Sequence, residues 1–126
     1  MHRSKLAGFI IDCRTDDLPE AARFWSEALG METAIPPGAE GDNYVHLKVP
    51  GERLHLEVQS VSHESRVHID IESDDIEAEV RRLEKLGAKR VSKIRTWVVM
   101  EAPTGQRFCV VRPQNRDFEQ EANRWD

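Results

Sequence analysis

RVHIDIESDDIEAEVRRLEKLGAK, residues 66–89, decides the fold. Val67, Ile69 and Ile71 alternate with His68, Asp70 and Glu72, which is the period of a strand with its apolar face covered. An acidic pair follows. Asp74 with Glu77 three residues on has the signature of a helix N-cap, where carboxylates satisfy free backbone donors and oppose the positive end of the helix. Ile76, Val80, Leu83 and Leu86 then recur at helical spacing, with Glu77, Arg81, Arg82, Glu84 and Lys85 outward. Gly87 closes the helix in the left-handed conformation that other residues resist.

The same plan occurs earlier in the chain. In FIIDCRTDDLPEAARFWSEALG, residues 9–30, an offset of 58 places Asp12 on Asp70, Asp17 on Asp75 and Arg23 on Arg81. Phe9, Ile11 and Cys13 carry the strand period, and Asp17 with Glu20 carries the cap. Leu18, Ala21, Ala22, Trp25, Ala28 and Leu29 form the apolar helix face, and Gly30 ends it. Pro19 is tolerable in a first turn, where its missing N–H costs nothing. Three extended stretches follow each helix. In the first half they lie near 32–35, 44–49 and 53–59, interrupted by the loop PPGAEGDN at 36–43. In the second they lie at 90–92, 97–102 and 107–112, with the connector SKIRT at 92–96. The chain therefore reads as one domain of two strand–helix–three-strand modules, 6–59 and 66–112, with a linker at 60–65 and a polar tail at 113–126. Phe118 and Trp125 are the tail's apolar docking points.

Composition narrows the function. The net charge is −5, with 18 Lys plus Arg against 23 Asp plus Glu, so there is no basic stripe to hold a nucleic acid. Cys13 and Cys109 lie far apart and outside any paired-cysteine spacing, which fits a reducing, cytoplasmic setting. The apolar run LAGFII is too short for a signal core or a membrane span.

The tandem βαβββ unit, with an alanine-proline-x-glycine turn in WVVMEAPTGQRFCVVRP, resembles the vicinal oxygen chelate superfamily, which includes glyoxalase I, extradiol dioxygenases and bleomycin-binding proteins. It looks most like the glyoxalase-like branch. The resemblance covers residues 6–113. It implies an α+β fold whose mostly antiparallel sheet curls into a cup with helices outside, and a homodimer. It does not imply a reaction, because one fold hosts many chemistries.

Strand alternation sorts the side chains within that frame. If Leu54, Leu56 and Val58 are covered, His55, Glu57 and Gln59 face the cup; if Val67, Ile69 and Ile71 are covered, His68, Asp70 and Glu72 do. Ile10, Asp12 and Arg14 follow on the first strand, Cys109 and Val111 on the last, and Trp97, Val99 and Glu101 on the strand before it. His55, Glu57, His68, Asp70, Trp97, Glu101 and Cys109 are the candidate ligand-binding residues. Trp97 could stack on a flat ligand, and Glu57, Asp70, Glu72 and Glu101 could supply an acid–base pair. Cys109 could serve as a nucleophile with His55 or His68 as its base. His46, Lys48 and His63 read as rim or solvent residues.

Metal-dependent members of the resembled superfamily place His, Glu, His and Glu on four strands. His68 stands at the third ligand position, but its repeat mate is Ile10, which coordinates nothing, and the last position is Cys109, whose mate is His55. No metal site is expected on that pattern. His55, His68 and Cys109 remain as donors that could hold zinc, and a shift of two residues would offer Glu57. The leading expectation is a cup for a small organic metabolite or xenobiotic, with the reaction unassigned. One alternative is a lyase, isomerase or dioxygenase using zinc, iron, nickel or manganese; a second is a non-catalytic interaction module.

Overall fold

The computed structural model describes residues 1–35, 43–51 and 53–126. The loop expected at 36–43 lies outside them except for its last residue. In chain order the elements are β1 (His2–Arg14), α1 (Leu18–Leu29), β2 (Thr33–Ala34), β3 (Tyr44–Leu47), β4 (His55–Val61), β5 (Arg66–Ser73), α2 (Ile76–Lys85), β6 (Lys89–Ile94), β7 (Trp97–Glu101), β8 (Arg107–Val111), α3 (Phe118–Glu121) and β9 (Asn123–Trp125). Helices and a mostly antiparallel set of strands make this the expected α+β architecture. Two compact units divide the chain: residues 9–67, and residues 1–8 with 68–126. β1 contributes to both.

In the unit of residues 9–67 the strand order is β2-β3-β4-β1. Asp17 caps α1, its side chain accepting from the Glu20 amide at 3.2 Å. Pro19 sits in the first turn, and Gly30 ends the helix at φ 68°. Ala22 is the buried residue of α1, whereas Ala28 and Leu29, in the last turn, stay exposed, contrary to the expectation of a full apolar face. Asp12 is buried, with the Arg66 guanidinium 3.9 Å away.

In the other unit the order is β1-β5-β8-β7-β6, with β9 pairing on β1. Val80 and Leu83 of α2 pack on Val98, Met100 and Val110 to form its core. Two details of α2 differ from expectation. Asp75, not Asp74, is the cap, accepting from the Ala78 amide at 3.0 Å. Asp74 instead accepts from the Arg3 amide at 2.8 Å and from Arg3 Nε at 3.0 Å. Leu86 lies past the last turn and is 67% exposed, so it is not a core residue.

Gly87 has φ +110°, and a Cβ there would lie 3.1 Å from Pro103 Cγ. Gly87→Ala is expected to lower stability by about 1–2 kcal/mol, measured by urea unfolding. An unchanged midpoint would refute this.

β5 inverts the expected covering. Asp70 and Glu72 are buried, while Val67 is 62% and Ile69 42% exposed, and only Ile71 reaches the core. The cause is the placement of α2 over β6, β7 and β8, which leaves the start of β5 uncovered. Beyond it, all six residues of β6 are exposed, a bulge interrupts the β6–β7 register between Arg90 and Ser92, and the connector expected at 92–96 is largely strand.

The tail is ordered on this unit. β9 pairs antiparallel with β1, His2 opposite Trp125, and Phe118 is buried. Glu79, fully buried, gathers the ends: it pairs with His2 Nε2 at 2.8 Å, accepts from Ser4 Oγ at 2.8 Å, and takes two bonds of 2.9 Å from Arg82. Trp125 stacks under Arg82, with the guanidinium carbon 3.9 Å from the ring centre, and donates to Ser4 Oγ at 2.8 Å.

Candidate functional site

In the unit that contains β5, β7 and β8, register fixes which side chains share a face. β5 and β8 run parallel with Asp70 beside Cys109 and Ile71 beside Val110; β8 and β7 run antiparallel with Cys109 beside Val99 and Val110 beside Val98. Val98, Met100 and Val110 point to α2. By alternation His68, Asp70, Cys109, Trp97, Val99 and Glu101 occupy the opposite face, as the sequence period indicated.

Three of these converge. One donor atom each from His68, Asp70 and Cys109 lies within 4.8 Å of the other two, and His68 Nε2 stands 3.4 Å from Asp70 Oδ1. Asp70 is buried; the other two are half-buried. Glu101 is not part of the cluster but accepts from Arg107 Nε at 3.2 Å. Trp97, at the start of β7, is half-buried.

Glu72, further along the same face of β5, is committed to holding the tail. It accepts from the backbone and side-chain nitrogens of Asn115, whose Nδ2 also donates to the Ala7 carbonyl at 2.9 Å. Burial pushes its carboxyl above the ordinary range, although Lys5 and Asn115 oppose the shift.

The unit of residues 9–67 carries a second cluster. β3 and β4 pair with His46 opposite Glu57. His46 Nε2 is 3.4 Å from Glu57 Oε2, and His55 Nε2 is 3.6 Å from Glu57 Oε1. The two imidazoles meet edge to face at 6.5 Å. Burial, and then the neighbouring His55, hold the His46 imidazole below its usual pKa of 6.5. Sequence alone suggests a rim position for His46. The hairpin register, which pairs it with Glu57, is the signal that identifies it. Ile10 is buried and supplies no donor.

The residues present do not fit the four-strand His/Glu set implied by the sequence resemblance, since an isoleucine and a cysteine stand at two of its positions. A set of mixed chemistry is present instead. Within the unit that holds His68 and Cys109, Asp70 places a donor atom beside theirs.

Comparison with known proteins gives a consistent picture. The glyoxalase-like domain family matches residues 8–111. Methylmalonyl-CoA epimerase from Mycobacterium tuberculosis superimposes with a TM-score of 0.60 at 18% identity, over 86% of this chain and 87% of that one. An extradiol ring-cleaving dioxygenase from B. fuscum gives 0.57 at 13% identity, over 88% of this chain and 33% of the larger enzyme. A glyoxalase/bleomycin resistance protein/dioxygenase superfamily member from Vibrio splendidus gives 0.50 at 18% identity, over 85% and 98%. Identities this low speak for the fold, not for a shared reaction. No curated protein matches the chain. With its family match running through nearly all the strands and both long helices, the chain belongs to the glyoxalase-like domain family.

Proposed function

We propose that the protein binds a small organic metabolite or xenobiotic against the strand face that carries His68, Asp70 and Cys109, with Trp97 and Glu101 further along that face. His55 and Glu57 are proposed as ligand contacts of their own unit. The observation that carries the reading is the convergence of an imidazole, a carboxylate and a thiol within 4.8 Å on adjacent strands. Such a cluster beside Val99 and Trp97 sets directional polar groups next to apolar ones, the combination found in small-molecule sites. A second reading, a metal-dependent lyase, isomerase or dioxygenase, is favoured by the same trio, because its atoms are all metal-ligand types.

A homodimer in the cytoplasm completes the proposal. Exposed Val67 and Ile69 support self-association, and two free cysteines support a reducing compartment. Among the described residues no helix is long and apolar enough to cross a membrane.

Titrating small carbonyl, carboxylic and phenolic compounds while following tryptophan fluorescence tests the binding site. A compound that binds is expected to quench saturably, to lose that signal in Trp97→Phe, and to bind about 10-fold or more weakly in His68→Ala. Quenching that survives both substitutions unchanged would remove this face as the site.

A further inference from the structure

We infer that Cys109 is a nucleophile served by His68, and that this strand face captures small α,β-unsaturated carbonyl compounds covalently. The inference deepens the small-molecule reading and rests on it for the bound molecule that the thiol attacks.

Juxtaposition is the first argument. Cys109 Sγ lies within 4.8 Å of a ring nitrogen of His68 and of a carboxylate oxygen of Asp70, and the thiol is half-buried, not sealed in. A thiol becomes a strong nucleophile when a neighbouring base takes its proton, and imidazole, which titrates near neutral pH, is the side chain suited to that transfer. Asp70, buried and with Oδ1 3.4 Å from His68 Nε2, stabilises the imidazolium that the transfer creates. It is a positioning residue, acting through the imidazole.

The other thiol supplies the second argument. Cys13 is also half-buried, but its Sγ donates to the Ile11 carbonyl at 3.6 Å, and it belongs to no such cluster among the described residues. Burial pushes its thiol up, outweighing the Trp25 contact that lowers it. One cysteine is therefore equipped to react and the other is not.

The neighbours select the electrophile. A thiolate is a soft nucleophile that prefers the β-carbon of an activated alkene. The Asp70 carboxylate disfavours an anionic ligand. Val99 stands beside Cys109 in register, and Trp97 shares the face, so an apolar substituent has somewhere to lie. A neutral unsaturated ketone or aldehyde meets all of these conditions. In the step, His68 takes the thiol proton while sulfur bonds to the β-carbon. The alkene π pair moves towards the carbonyl as an enolate, whose α-carbon takes the proton back from His68. The product is a thioether that keeps every atom of both reactants, and no oxidant or reductant is consumed.

The test uses the full chain and benzalacetone, an unsaturated ketone, with its saturated counterpart benzylacetone as the non-reacting control. Intact-mass and peptide analysis are expected to find a single intact ketone added per chain, on Cys109 and not on Cys13. The rate should saturate with ketone concentration and be slowed by benzylacetone. In His68→Ala the maximal rate at neutral pH should fall at least about 10-fold and recover as the pH rises, because the unassisted thiol then ionises by itself. Asp70→Asn should move the profile the same way by less. A merely structural role would lower the rate at every pH. Circular dichroism monitors each fold, and the choice between Cys109 and Cys13 in the unaltered protein needs no variant. Alkylation of Cys13 first, or His68→Ala reacting as fast as the wild type at neutral pH, would overturn the inference. Saturable quenching by benzylacetone with no adduct from benzalacetone on Cys109 would refute the thiol chemistry and leave small-molecule binding standing. Alkylation of Cys109 that neither saturates nor responds to benzylacetone would instead remove the bound molecule, and with it the reading on which the inference rests.

Discussion

Replacing Glu79 by alanine is expected to destabilise the protein by about 3 kcal/mol or more and to move the urea midpoint down by about 1–3 M. The side chain is wholly buried and accepts from or pairs with His2, Ser4 and Arg82. Removing it leaves the half-buried Arg82 guanidinium without its anion and the ends of the chain without their common anchor. Burial pushes the Glu79 carboxyl up, but the bonds from Arg82, His2 and Ser4 outweigh it, so the folded pKa lies below the ordinary 4.5. The stabilisation is therefore complete above about pH 4.5 and disappears as the pH falls through the lower folded value. Glu79→Gln should flatten that part of the acid limb. Glu72 has the opposite sign: its folded pKa is raised, so its contribution is present below pH 4.5 and is lost as the pH rises through the raised value. A Glu79→Ala protein with an unaltered midpoint would show that the buried anchor carries no net stability.

Removing residues 113–126 is expected to leave little soluble, folded protein. Phe118 alone, 3% exposed, is worth about 3–5 kcal/mol as Phe118→Ala, against a total stability of about 5–15 kcal/mol for a domain. The tail also provides Asn115, which satisfies buried Glu72 and the Ala7 carbonyl, and Trp125, which covers Arg82. The exposed pair Arg3–Glu119, at 2.7 Å, adds about 1 kcal/mol at most, and the partly buried pair Lys5–Asp117, at 3.0 Å, ties the tail to β1. Phe118→Ala keeps the question measurable if the truncated chain fails to accumulate. A truncated protein melting within a few degrees of the full chain would refute the tail's structural role.

Local signals explain where the sequence was readable. Asp17, Pro19 and Gly30 act within one turn of helix, so their roles follow from their neighbours alone. Strand period placed Cys109, Val99 and Trp97 on one face because β7 and β8 pair by a tight turn. The misreadings have long-range causes. Asp74 and Asp75 are equivalent as caps until Arg3, 71 residues away, takes Asp74. β1 extends back to His2 because polar His2 and Ser4 find Glu79 there, and no apolar period announces that. Val67 and Ile69 carry the period of a covered strand, but α2 lies elsewhere. Strand period named His68, Asp70 and Cys109 as candidates on one face, whereas their grouping apart from the other candidates needed the β5–β8 register. His46 needed the β3–β4 register in the same way.

The exposed strand β6 has one more consequence. It ends the strand order with its outer backbone groups available to a passing chain, the situation from which fibrils grow. Lys89, Arg90 and Lys93 set like charges along that margin, and the irregularity between Arg90 and Ser92 breaks the straight template an adding chain would need. A crowded solution of this protein is thereby protected against edge-to-edge polymerisation along β6.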